Sequence, residues 1–346
     1  MARVVRIFKT LRNHWKKSTA GFCLLAYGSH WIYGKHCDNL LRRAACEEAQ
    51  VFENHQILPH SAIKKATVFL NLAACKGKAM TLFEKNAAPI LHLAGIDITL
   101  VKTDYEGQAK NLLELMEKTD LIIVAGGDGT LQEVITGLLR REGQVPLSKI
   151  PIAFIPLEGT NTLSHTLYPE RENKVQQITE AALSILKGET VALDILQIKG
   201  EQDQPVFAVQ GIRWGSYRDA SLKSSNLSPW QQPRYLLEPV NSQHPRTLDS
   251  MSICTEPDAI SKGQFIQLGV EKMTDPLLPP GDSQVLLASR CSLHLPQGTE
   301  GHFSIDSEEY EAMSVDVTLL PRKLHFLCHP TRKQELLQRP TATGHC

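Results

Sequence analysis

The sequence predicts an α/β domain of the doubly wound type, an all-β region after it, and a helical segment ahead of both. Three observations carry this. Between Lys64 and Gly188, apolar strand-like runs alternate with amphipathic helical ones across short connections. Beyond Thr190 the runs are strand-like and turn-separated. The first acidic residue is Asp38, so the chain opens basic and apolar. The expected bounds are 1–60 for the opening segment, 61–190 for the α/β domain, 191–333 for the all-β domain and 334–346 for a tail.

In the opening segment, Arg3, Arg6, Lys9, Arg12, Lys16 and Lys17 surround Val4, Val5, Ile7, Phe8 and Leu11. This is the composition of a basic amphipathic targeting or membrane-surface helix. "AGFCLLAYGSHWIYG", Ala20–Gly34, has no fixed charge but is shorter than the roughly 20 apolar residues of a spanning helix. Gly28, Ser29 and His30 are expected to interrupt it. The segment reads as an uncleaved, membrane-associating mitochondrial signal. The alternative is a helix pair packed on the following domain.

The α/β domain follows element by element. "KATVFLN" is a β-branched strand, "KAMTLFEKNAAPILHLAG" one helix ending at Gly95, and "DITLVKT" a second strand. "EGQAKNLLELMEKT" is a helix. "DLIIVA" is the continuous apolar run of a strand covered on both faces. "TLQEVITGLLRR" is an amphipathic helix, "IPIAFIPL" a fourth strand and "NKVQQITEAALSILKGE" a last helix. In the all-β region the strand-like runs are "TVALDILQIKG", "QPVFAVQGIRWGS", "DSMSICTE", "GQFIQLGVE", "SQVLLASRCSLHL", "GHFSIDSEE" and "MSVDVTLLPRKLHFLC". Ser221–Ser250, rich in Pro, Ser, Gln and Asn, shows no period and is expected to be an irregular interruption.

Charge is balanced, at 37 basic and 37 acidic residues, which gives no support to polyanion binding, so no nucleic acid partner is expected. The eight cysteines form no CxxC pair and the histidines no HExxH, so neither zinc nor a disulfide framework is expected.

The chemistry concentrates in "LIIVAGGDGTLQ", Leu121–Gln132. Gly126 and Gly127 follow a strand directly and allow a tight turn with close backbone approach to a ligand. The helix after them points N–H groups at the same spot, a cradle for phosphate. Asp128 has the wrong sign to neutralise phosphate; it makes sense holding Mg²⁺ or accepting a hydroxyl proton. The competing reading is a structural strand–turn–helix with Asp128 as cap. The loops "NLAACKGKA", "KTDYEGQA" and "PLEGTNTLSHTL" should reach the same edge, where ligands of parallel sheets bind.

Together these motifs resemble the diacylglycerol kinase catalytic family, which includes sphingosine and ceramide kinases. "AGGDGTLQEVITG" looks like its signature. "NLAACKGKA" resembles its first nucleotide loop with Leu72 in place of proline. "TDYEGQA" resembles the second. "IPLEGTNTLSHTL" resembles a later loop, with Glu158 at a glycine and His165 at an arginine. "FSIDSEE" resembles the late Asp-Gly-Glu turn, with Ser307 for glycine. The resemblance implies that the all-β domain is a lipid-binding β-sandwich, and that Ser221–Ser250 replaces part of it. It implies transfer of the ATP γ-phosphate to mono- or diacylglycerol with Mg²⁺. Asn71, Thr103, Gly126, Gly127, Gly129, Thr130, Glu158, Gly159 and Thr160 would then bind nucleotide. The catalytic candidates are Asp128, Asp306 and Glu308, with the choice of base left open. Mitochondrial members of the family imply an inner-membrane location facing the intermembrane space and a place in the carrier import machinery, catalytic or not. NAD kinases share the Gly-Gly-Asp-Gly turn but pair it with an Asn-Glu dipeptide, which this chain lacks.

Overall fold

The computed structural model describes residues 15–53, 65–105, 107–114, 116, 119–141, 149–158, 162–171, 173–200, 204–214, 234–239, 249–256, 284–295, 301–306 and 308–338. The expected strand at 263–271, most of Ser221–Ser250, and Gly159 and Thr160 lie outside these.

Strands β1 (Lys65–Asn71), β2 (Asp97–Thr103), β3 (Leu121–Gly126) and β4 (Ile152–Pro156) form a parallel sheet in the order β2-β1-β3-β4. Every residue of β3 and β4 is buried, as their unbroken apolar runs require. Alternate residues go to opposite faces. Ile123 and Ala125 join Val68 and Leu70 against one helical layer, whereas Ile122 and Val124 join Phe69 and Phe154 against the other. All four strands end on one edge, so the loops after them converge there.

The single helix expected at Lys78–Gly95 is divided. Helix α2 (Ala74–Gly77) is a short turn with Cys75 and Lys76 at positive φ, α3 spans Ala79–Asn86 and α4 Ala88–Leu93. Pro89 stands in the first turn of α4, where its missing N–H does no harm; farther inside a longer helix it would break the backbone ladder. Helix α5 (Gln108–Glu114) follows β2, and α6 (Asp128–Arg140) follows β3, beginning two residues earlier than the apolar period indicates. The short helix α7 (Thr162–Leu167) has too few residues to show a period. Helix α8 (Lys174–Lys187) is capped at both ends. Asn173 Oδ1 accepts from Val175 N and Gln176 N, and Gly188 closes the helix in the left-handed region.

The sheet continues past β4 as β14-β5-β6, from β5 (Thr190–Lys199), β6 (Val206–Ala208) and β14 (Val315–Leu327). β14 runs parallel to β4 at Phe326–Ile152 and antiparallel along the length of β5. A second, antiparallel sheet has the order β10-β9-β8-β7-β12-β13. Its strands are β7 (Ile212–Trp214), β8 (Arg234–Pro239), β9 (Met251–Glu256), β10 (Gln284–Ala288), β12 (His302–Ile305) and β13 (Glu308–Glu311). β11 (Arg290–Leu293) pairs with β14. Leu196, Ile198 and Val317 from the first sheet meet Trp214, Ile253 and Phe303 from the second in one cluster.

The stretch Ser221–Ser250 contains β8, which bridges β7 and β9; the expectation of an irregular interruption is corrected for these residues. "RYLLEP" is too short, and too closely flanked by prolines, to announce itself in a Pro-rich context, and its pairing partners supply what local sequence does not.

The N-terminus is also corrected. Trp15–Gln50 is one continuous helix, α1, with no break at Gly28–His30. Ser29 Oγ donates to Ala26 O at 2.9 Å, so the hydroxyl is satisfied within the helix. The C-terminal part packs on the domain through buried Ala45 and Ala49, with Arg42 Nε donating to Asn86 Oδ1 at 2.8 Å and Asn173 Nδ2 to Asp38 Oδ1 at 3.0 Å. Phe22, Leu24, Leu25, Tyr27, Trp31, Ile32 and Tyr33 are exposed around its whole circumference. No helix among the described residues is long and apolar enough to cross a membrane. Helix α9 (Pro330–Gln338) ends the described chain.

Candidate active site

The carboxyl ends of β1, β2 and β3 lie level, since Asn71 is opposite Thr103 and Leu70 is opposite Ala125. A cleft of ≈ 250 Å³ opens above them, lined by Asn71, Thr103, Tyr105, Gly127, Gly129, Thr130 and others. Asn71 braces its floor. Its amide donates to Thr130 Oγ1 at 3.0 Å and its Oδ1 accepts from Ala73 N at 2.9 Å. Leu72 N donates to Thr103 O at 2.9 Å, which ties the first loop to the second.

Gly127 caps α6 in extended conformation and makes no side-chain cap bond. The first-turn N–H groups of this 13-residue helix have no intrahelical acceptors, and Gly129 and Thr130 of that turn line the cleft. None of the three glycines of the turn has positive φ, so what they supply is room for neighbouring side chains rather than backbone freedom. A Cβ on Gly126 would fall 2.8 Å from Thr130 Oγ1. One on Gly127 would fall 2.6 Å from Glu158 Cδ, and one on Gly129 2.6 Å from Glu308 Cδ. The two carboxylates therefore press against the glycine turn from opposite parts of the chain, Glu158 from the loop after β4 and Glu308 from the start of β13.

Asp128 is 4% exposed, beneath the turn, and does not line the cleft. Asp306, 5% exposed and at φ 47°, lies behind it. Its Oδ2 accepts from Val209 N at 2.6 Å, and its Oδ1 from Gln210 N and Gly211 N at 2.8 and 2.9 Å. This carboxylate fixes the β6–β7 turn against α6. Of the late acidic pair, only Glu308 reaches the cleft. Asn71, Thr103, Gly127, Gly129, Thr130, Glu158 and Glu308, all picked out by sequence, thus line one space, with Gly126 supporting it from the end of β3.

Burial pushes Asp306 up to about 6; the three N–H donors oppose the rise and the nearby Asp128 charge adds to it. An unfolded aspartate loses its proton near pH 4. Between about pH 4 and 6 the folded state thus keeps a proton that the unfolded state has released. Stability falls as pH rises through that window, by up to roughly 3 kcal/mol from this group. The stability advantage of the native chain over Asp306→Asn, taken from urea midpoints, is expected to be larger at pH 4.5 than at pH 7. Equal differences at the two pH values would show that Asp306 titrates as it does unfolded.

Two contacts hold the loops around the cleft in place. The half-buried Lys174 Nζ donates to Glu158 O, and Cys75 Sγ meets Leu157 O. Burial lowers the Lys174 pKa, against the pull of Cys75 and Glu158. Glu133, which sequence reading passes over, takes Gly107 N on its Oε1 at 2.8 Å and anchors the second loop. Its signal is a glutamate within a helix whose other faces are buried.

Among the described residues no group of three or more His, Cys, Asp or Glu could hold a metal by itself. Glu158, against the glycine turn, nevertheless suits magnesium, which takes one or two carboxylates and completes its shell with phosphate oxygens and water.

Residues 65–198 match the diacylglycerol kinase catalytic domain, and residues 238–341 match the acylglycerol kinase C-terminal family. The mitochondrial acylglycerol kinase of Xenopus laevis is 70% identical over 426 residues, covering 99% of this chain and 100% of the relative. The chain belongs to the acylglycerol kinase family. The mitochondrial acylglycerol kinase of Homo sapiens is 52% identical, covering 96% of this chain and 99% of the relative. A putative diacylglycerol kinase structure from Bacillus anthracis shares the fold, with a TM-score of 0.56, 20% identity, and coverage of 78% of this chain and 99% of that one. Membership of the acylglycerol kinase family makes the chain a lipid kinase that uses ATP. Because the Xenopus laevis match runs over 426 positions and this chain has 346 residues, it contains gaps of at least 80 positions here, the difference of the two.

Proposed function

We propose that the chain phosphorylates a primary hydroxyl of mono- or diacylglycerol, giving lysophosphatidic or phosphatidic acid, at the cleft over Gly126–Thr130. The observation that carries this is the meeting of Glu308 with Gly129, which sets a carboxylate beside a phosphate cradle. The ATP phosphates rest on the Gly127–Thr130 amides, with Asn71 and Thr103 along the nucleotide; Gly159 and Thr160 join the nucleotide contacts by their place in the sequence motif. Glu308 accepts the proton of the lipid hydroxyl. That oxygen bonds to the γ-phosphorus as the bond to the β-bridging oxygen breaks, and ADP leaves with the electron pair. Magnesium, held by phosphate oxygens with Glu158, would neutralise charge across the phosphates. Asp128 and Asp306 set the turn from beneath. ATP-dependent labelling of monoacyl- and diacylglycerol in mixed vesicles tests the reading; labelling of neither lipid would overturn it.

The exposed apolar length of α1 is proposed to sit in the surface of the mitochondrial inner membrane, with the kinase in the intermembrane space. A helix apolar all round is normally covered, and roughly 15 residues from Ala20 to Gly34 give about 22 Å of it. The carrier import machinery would be met at the same surface. Removing residues 1–36 spares Ala45 and Ala49 and is expected to release a folded protein from the mitochondrial membrane fraction. Full recovery of the truncated chain in that fraction would refute the assignment.

A further inference from the structure

We infer that Tyr105 is the platform on which the nucleobase of the triphosphate stacks, which makes it the side chain that separates a nucleotide from a bare polyphosphate. The inference rests on the nucleotide placement proposed above.

Among the described residues lining the cleft Tyr105 is the one aromatic, and it is 64% exposed. It follows β2, the edge strand of the sheet, whereas the glycine turn follows β3. Only β1 lies between them, so with strands ~4.8 Å apart the two features are about 10 Å apart along one edge. Phosphates seated on the turn leave the other end of the ligand to reach Tyr105. The N–H groups at the start of α6, which suit phosphate, lie at the turn, and the aromatic ring lies away from it. A nucleoside triphosphate has the matching order, with an anionic end for the N–H groups and a flat base for the ring.

The loop carrying the ring is braced at two points. Asp104 N donates to Gln108 Oε1 at 2.7 Å, and Gly107 N donates to Glu133 Oε1 at 2.8 Å. Gly107, at φ 82°, makes the turn into α5 that a side chain would strain. Glu133 belongs to α6, the helix whose N-terminus holds the phosphates, so both ends of the ligand are registered to one rigid element. Stacking uses the face common to all bases and is tolerant of their edges. Tyr105 therefore confers affinity for bases as a class and little choice among them.

The test is calorimetric titration of the full-length chain with ATP, GTP and inorganic tripolyphosphate. Tyr105→Ala is expected to weaken ATP and GTP about tenfold each, the usual scale for loss of one base stack, and to leave tripolyphosphate within about twofold. Tyr105→Phe, which keeps the ring, is expected to restore both nucleotides. Undiminished ATP binding by Tyr105→Ala overturns the inference. So does an equal loss of tripolyphosphate, which would mean that the ring only shapes the loop. Gly126→Glu separates the two levels of the argument. It should abolish binding of all three ligands, and ATP binding that survives it removes the cleft as the nucleotide site, whatever Tyr105 does.

Discussion

Gly129→Ala is expected to yield a folded protein whose turnover is reduced about 10²-fold. Helix α6 tolerates alanine at this position, since Gly129 is not at positive φ and alanine raises helix propensity. The new methyl overlaps Glu308 Oε1 and comes 2.6 Å from its Cδ. The glutamate is a flexible side chain and can swing away, so the conflict is relieved by displacement rather than by unfolding. A displacement of about 1 Å at a reacting group costs on the order of 10²-fold in rate. Turnover at saturating ATP and lipid, alongside thermal denaturation, separates the two effects. A stable Gly129→Ala protein with native turnover would show that Glu308 plays no part near the turn.

Glu308→Gln is expected to lower turnover by 10²–10⁴-fold, the range of a lost general base, with ATP affinity changed by less than about twofold. The amide keeps the size of the side chain and removes its basicity. Asp128→Asn is the control. Asp128 lies under the turn, and its substitution should disturb phosphate binding and stability more than proton transfer. A mild Glu308→Gln beside a crippled Asp128→Asn reverses the roles. Mild effects in both variants would remove both from the chemistry.

The parallel half of the fold is legible in the sequence because β3 and β4 are buried on both faces and read as unbroken apolar runs. The convergence of Asn71, Thr103 and the glycine turn is legible for the same reason, since parallel strands carry their following loops to one edge. The approach of Glu308 to Gly129 depends on strand pairing across the second sheet, and only the family resemblance pointed to it. The break at Ala87 turns on a single proline, whose effect depends on where the next helix starts. β8 is specified by β7 and β9 rather than by its own six residues. The continuity of α1 through Gly28–His30 shows the converse: helical neighbours carry residues of poor propensity across.

The place of β14 between β4 and β5 has a consequence for biosynthesis. As the chain leaves the ribosome, β4 is complete by Pro156 and β5 by Lys199, but the strand that joins them arrives only with Val315–Leu327. For more than a hundred residues of synthesis, two buried strands wait with facing edges open. Unpaired edges of this kind are templates for the wrong partner. The keystone is therefore made long after the strands it joins, and nascent chains stopped short of Val315 should need a holding chaperone that chains carrying β14 do not.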